Sequence, residues 1–181
     1  VENDCQVQAV DYNSDFSTEL FIPNSITQQL NVYTHSAGNF TYSTTFGNIP
    51  YNANRYTGDF NGDGRIDFLT QGTDKNWNIY LYNGTRFVDR NESNYILPFN
   101  SSENPLPDYG TKYYVADFNG DAKTDIIMLN YVYAYSVTVP DITVYCSKRN
   151  GFEKRKFNDV GLVLSSYDHD LEEDMVSSTC G

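Results

Sequence analysis

The sequence predicts an all-β chain built from repeated four-stranded antiparallel units. One loop pattern recurs at nearly constant spacing. Alternating, strand-like stretches broken by turn residues follow each copy. No segment combines helix caps with a 3.6-residue apolar period. The clearest copy of the loop is Asp59-Phe60-Asn61-Gly62-Asp63-Gly64-Arg65-Ile66-Asp67. Asp117-Phe118-Asn119-Gly120-Asp121-Ala122-Lys123-Thr124-Asp125 repeats it, and so does Asp11-Tyr12-Asn13-Ser14-Asp15-Phe16-Ser17-Thr18-Glu19. A worn copy is Ser166-Tyr167-Asp168-His169-Asp170-Leu171-Glu172-Glu173-Asp174. The first positions are 11, 59, 117 and 166, so the steps are 48, 58 and 49 residues. A period near fifty marks a repeat architecture.

The elements follow the same plan in each unit. In the first, residues 5–10 form a strand entering the loop and residues 20–22 a strand leaving it, which Pro23 ends. Residues 30–33 alternate apolar and polar, Gly38 turns the chain and residues 40–42 return. In the second, residues 56–58 enter, 66–70 leave and 77–82 alternate. Asn83-Gly84 then gives a tight hairpin signal before residues 87–88 return. In the third, residues 113–116 enter, 125–129 leave, 142–145 alternate, Asn150-Gly151 turns and Phe152 returns. Residues 91–110 are rich in Pro, Ser and Asn, read as a loop, and account for the longer step. The aromatic stretch 131–139 is an insertion in the third unit, either a longer strand pair or an exposed contact surface. The chain thus reads as one repeat domain, 1–181, with units at about 5–50, 51–100 and 110–160 and a partial unit at 161–181.

Composition bounds the function. The net charge of −12 argues against nucleic acid, whose phosphates demand basic patches. No apolar run approaches the roughly 20 residues of a membrane-spanning helix. The first residue is Val1, which suggests a processed N-terminus. Sequons begin at Asn39, Asn83, Asn91 and Asn100, all in predicted turns or loops, and point to an extracellular glycoprotein. Three cysteines, Cys5, Cys146 and Cys180, fit that compartment. Their odd number allows one bridge and a leftover thiol, or a bond between chains.

The loops carry the chemistry. Each of the first three places side-chain oxygens at positions one, three, five and nine and offers a backbone carbonyl at position seven. Three acidic residues in one tight turn repel each other unless a cation joins them. Ca²⁺ takes six to eight oxygens in loose geometry. Gly62 and Gly64 supply positive φ. The pattern opens like an EF-hand but has Thr70 at position twelve, where an EF-hand needs a bidentate Glu.

In this strand context the loop resembles the FG-GAP/VCBS repeat, which forms the blades of integrin-α-type β-propellers. The resemblance implies four-stranded propeller blades, about three and a half of them, and Ca²⁺ as cofactor. By position it implies Asp59, Asn61, Asp63 and Asp67 as ligands, with the carbonyl of Arg65. In the next loop the roles fall to Asp117, Asn119, Asp121 and Asp125, with the carbonyl of Lys123. In the first they fall to Asp11, Asn13, Asp15 and Glu19, with the carbonyl of Ser17. Ala122 stands where Gly64 does and is strained by about 1 kcal/mol if φ is positive there. The first loop lacks both glycines, and the fourth has Ser166 at position one. The expected order of occupancy is second, third, first, fourth.

Closed propellers take four to eight blades. So the chain is a partial propeller, or copies complete one another head to tail. The expected function is a Ca²⁺-stabilised extracellular module with an adhesive, structural or assembly role, binding other copies, extracellular proteins or glycans. A lectin is the alternative, with Trp77 and the tyrosines stacking on sugars, although Trp77 fits the core of the second unit better. An enzyme is not expected, and a glycan-active one least disfavoured. His35 and His169 belong to no nucleophile or zinc pattern, and most Asp residues have a better use as ligands.

Overall fold

The computed structural model describes residues 7–72, 76–97, 111–134 and 137–156, without the side chains of 131–134, 137–141 and 156. The partial fourth unit with its loop at 166–174, Cys5, Asn100 and Cys180 lie outside the described residues.

The described residues form three four-stranded antiparallel sheets. The first has β1 (Gln8–Val10), β2 (Glu19–Asn24), β3 (Gln29–Ser36) and β4 (Asn39–Phe46). The second has β5 (Asn54–Gly58), β6 (Asp67–Gln71), β7 (Trp77–Tyr82) and β8 (Phe87–Asp89). After a short helix, α1 (Arg90–Ser93), the third has β9 (Lys112–Ala116), β10 (Asp125–Ala134), β11 (Val137–Lys148) and β12 (Gly151–Lys156). In every sheet the strands lie side by side in chain order, and the acidic loop joins the first strand to the second. These are three blades of a partial β-propeller, as the period near fifty predicts.

The pleat decides how the blades stack. Residues directly after position nine alternate between faces. Position ten of the second and third loops, Phe68 and Ile126, packs toward the preceding blade. Position eleven of the first two, Phe21 and Leu69, packs toward the following one. Thus Phe21, Leu30 and Val32 of the first blade meet Phe68, Tyr80, Tyr82 and Phe87 of the second. Leu69, Trp77, Ile79 and Leu81 meet Ile126, Met128 and Tyr145 of the third. Ile127, Val144 and Cys146 pack together on the far face of the third blade. Cys146 is fully buried. Trp77 is buried between Tyr56 and Tyr113, with ring centroids 5.8 and 4.7 Å away.

Polar contacts stitch the blades as well. The Gln8 amide donates to Arg55 O at 3.1 Å, and Arg55 Nε donates to Gln8 Oε1 at 3.1 Å. Asn48 Nδ2 donates to Phe87 O at 2.8 Å.

Four details correct the sequence reading. Pro23 does not end β2 but pairs with Leu30 inside it. There β2 has outrun β1, whose pairing stops at Gln8↔Phe21, so no donor is needed on that side. The 91–110 stretch does not begin as a loop. Asp89 caps one helical turn, accepting from the backbone of Asn91 and Glu92, and Asn94 closes it at φ 56°. Asn83-Gly84 does not make a two-residue turn, because β8 starts only at Phe87. Asn83 Oδ1 instead accepts from the Thr85 and Arg86 amides in a wider loop. β4 outruns the predicted 40–42 and carries a register shift opposite Val32/Tyr33. The insertion at 131–139 is a lengthened strand pair, in register from Asn130↔Asp141 to Ala134↔Val137.

Candidate metal centre

The three described loops share one backbone course. Position four has positive φ at Ser14 (61°), Gly62 (76°) and Gly120 (75°), and position six at Phe16 (68°), Gly64 (81°) and Ala122 (64°). The turn geometry therefore persists where glycine is lost, and the strain expected at Ala122 is present.

That course wraps the amides around position one. Asp59 Oδ1 accepts from the amides of Gly62 (2.7 Å) and Asp63 (3.1 Å), and Oδ2 from Gly64 (2.7 Å). Asp117 does the same with Gly120, Asp121 and Ala122. Asp11 takes Asp15 and Phe16. Asn61 Oδ1 accepts from the Asp63 amide at 2.9 Å, as Asn119 does from Asp121 and Asn13 from Asp15. Position five accepts from the position-seven amide, Arg65 on Asp63, Lys123 on Asp121 and Ser17 on Asp15. Side-chain oxygens of positions one, three and five are held by these turns, with lone pairs remaining.

A protein cation already leans on position five. Arg65 Nη1 lies 3.4 Å from Asp63 Oδ2, and Lys123 Nζ lies 2.8 Å from Asp121 Oδ2. Burial pushes the Asp121 carboxyl up, but hydrogen bonds from Lys123 and Asn119 and the Lys123 charge outweigh it and hold it below the usual range.

Position nine is different. Asp67 and Asp125 are fully buried. Asp67 accepts from the amides of Phe60 (3.1 Å) and Tyr82 (2.9 Å), tying the loop to β7. Asp125 accepts from those of Phe118 (3.2 Å) and Ser147 (2.7 Å). Burial still pushes Asp67 up to about 8, against those two amides, with Asp63 and Asp59 adding to it. Burial raises Asp125 in the same way. Glu19, one methylene longer, is fully buried, and neither carboxylate oxygen has a hydrogen-bond partner. Burial and then the Asp15 charge push it up to about 7, the nearby Tyr12 amide pulling back without closing a bond. A buried, unpaired carboxylate is costly unless it takes a proton or a cation. The orphaned acceptor thus belongs to the first loop, which the sequence ranks third.

Among the described residues no three His, Cys, Asp or Glu side chains converge as a cluster. A shell here would need the Asn side chain and the position-seven carbonyl beside the carboxylates. Such an all-oxygen set, with an unsatisfied buried carboxylate in one loop, fits a hard divalent cation and not a thiophilic one.

Residues 59–128 match the FG-GAP-like repeat family. That stretch of the chain is an FG-GAP-like repeat. The matched span begins at the second loop, takes in β6, β7, β8, α1, β9 and the third loop, and ends in β10 at Met128. No curated protein matches the chain. Among the described residues no helix is long and apolar enough to cross a membrane.

Proposed function

We propose that the protein is a Ca²⁺-binding, extracellular β-propeller-type module with an adhesive or structural role and no catalytic one. The observation that carries the reading is the orphaned, buried Glu19 carboxylate in a loop whose backbone course matches the two Asp-rich loops. In the second loop Asp59, Asn61, Asp63, Asp67 and the Arg65 carbonyl would hold the ion. In the third Asp117, Asn119, Asp121, Asp125 and the Lys123 carbonyl would do so, and in the first Asp11, Asn13, Asp15, Glu19 and the Ser17 carbonyl. The ion supplies positive charge to a turn that otherwise carries several carboxylates. Metal that binds only the folded state stabilises it by mass action. The same reading includes glycans on the sequons, a disulfide-stabilised secreted chain and head-to-tail assembly with other copies. The buried position of Trp77 removes the main support for a sugar-binding alternative.

Calorimetric titration of the chelated protein tests the metal. At least two Ca²⁺ sites are expected, and Asp63→Ala is expected to remove one. Unchanged melting and no heat of binding on adding Ca²⁺ would sink the reading.

A further inference from the structure

The loops are not independent. The peptide between Lys123 and Thr124 has two working ends. Its C=O is the position-seven carbonyl of the third loop. Its N–H donates at 2.7 Å to the carbonyl of Asp59, position one of the second loop. The peptide between Arg65 and Ile66 repeats the arrangement. Its C=O is position seven of the second loop, and its N–H reaches the carbonyl of Tyr12 in the first loop at 3.4 Å. Ser14 Oγ adds a return bond, donating to Gly64 O at 2.7 Å. Close packing holds the contact. A Cβ on Gly58 would run into the Thr124 side chain, and one on Gly62 would meet the Lys123 stem at 3.0 Å.

We propose that Ca²⁺ binding is positively coupled from blade to blade through these shared peptides. The inference rests on the calcium reading above and goes beyond it. An ion on the Lys123 carbonyl fixes the plane of the Lys123–Thr124 peptide and polarises its N–H. That N–H then holds the Asp59 backbone, whose carboxylate anchors the second loop through three amides. Ordering one loop therefore removes part of the ordering its neighbour must undergo, which is positive cooperativity. Long-range charge acts with the opposite sign. Filling the acidic third loop weakens the field that draws a cation to the second. At physiological salt that field is screened beyond about 8 Å, whereas the peptide contact is not. The sign of the coupling thus separates the two effects.

The test is a Ca²⁺ titration of the ¹⁵N-labelled full chain at physiological salt, followed by NMR. The Gly62 and Gly64 amides report the second loop and the Gly120 amide the third. In the unmodified protein the two sets are expected to shift over one concentration range. Asp121→Ala disables the third loop and replaces no ligand of the second. It is expected to move the Gly62 and Gly64 midpoint to a concentration higher by about five-fold or more, the lower end of ordinary coupling between sites. Gly58→Ala wedges Thr124 away while replacing no ligand residue. In that background Asp121→Ala is expected to move the Gly62 midpoint no further. A Gly62 midpoint that stays put or falls in Asp121→Ala overturns the coupling and leaves calcium binding intact. No amide shift at all in the unmodified protein overturns both. Should Gly58→Ala fail to fold, the Asp121→Ala comparison decides alone.

Discussion

Glu19 and Phe16 show what single residues do in the first loop. Glu19 occupies the position that Asp67 and Asp125 fill with two amide partners each, and it has none. Its carboxyl is raised to about 7 and that of Asp67 to about 8, chiefly by burial. A carboxyl raised in the fold holds its proton there longer than in the unfolded chain. Its contribution is therefore complete below the ordinary carboxylate range and is lost as pH rises through the folded value. The urea midpoint of the chelated protein should fall between about pH 4.5 and 8. Added Ca²⁺ should restore it most at the upper end. A chelated protein whose midpoint rises across that window contradicts the expectation. Phe16 holds φ at 68° with its ring fully exposed. A bulky residue gains nothing there and bears the left-handed penalty of about 1–2 kcal/mol. Phe16→Gly should raise stability by up to about 1 kcal/mol, once the greater unfolded freedom of glycine is subtracted. Equilibrium urea unfolding reads the sign.

At the scale of elements, two of the described sequons sit at hairpin ends and one in the helix. Asn39 opens β4, Asn83 follows β7, and Asn91 lies in α1; all three are exposed. The turn at Asn83 uses Oδ1, so Nδ2 is left for a sugar. Glycans at Asn39 would stand beside β4, the open edge of the first sheet. The register shift opposite Val32/Tyr33 already roughens that edge, and both features discourage unwanted pairing. Peptide mapping of the secreted protein before and after N-glycanase should find a one-dalton Asn-to-Asp mark at Asn39, Asn83 and Asn91. Unmodified asparagine at all three would count against the extracellular reading. The strands themselves were legible from alternation and turn residues. α1 was missed although Asp89 and Glu92 stand three apart, a capping-box signal, because one turn is too short to show a period.

At the scale of the molecule, the blades stack by a rule that leaves one face without a partner sheet among the described residues. Position ten packs backward onto the preceding blade in the second and third units. Leu20 holds that position in the first, and no described sheet lies behind it. Its row continues across the sheet through Tyr33 to Tyr42, with Phe40 and His35 paired beside it. Tyr42 is 58 % and Phe40 48 % exposed, whereas the equivalent face of the second blade, with Phe68, Tyr80 and Phe87, is buried. A face built for a blade should find one, and another copy can provide it. Light scattering of the native protein should show species larger than one chain, and Tyr42→Lys should reduce them. A monomer at all concentrations, in both proteins, would refute assembly through this face.

The sequence by itself determined the repeat and its four-strand plan, because both are written in neighbouring residues: side-chain oxygens two apart in each loop and alternation along strands. It also announced Asp67 and Asp125 as members of the site. Only the tertiary structure decided what those members do. Whether position nine is satisfied depends on an amide from a distant strand, Tyr82 or Ser147, and Glu19 lacks any such partner. Whether the loops act singly depends on Thr124 meeting Asp59 across two blades. Burial and long-range hydrogen bonds are properties of packing between units, and no local pattern encodes them.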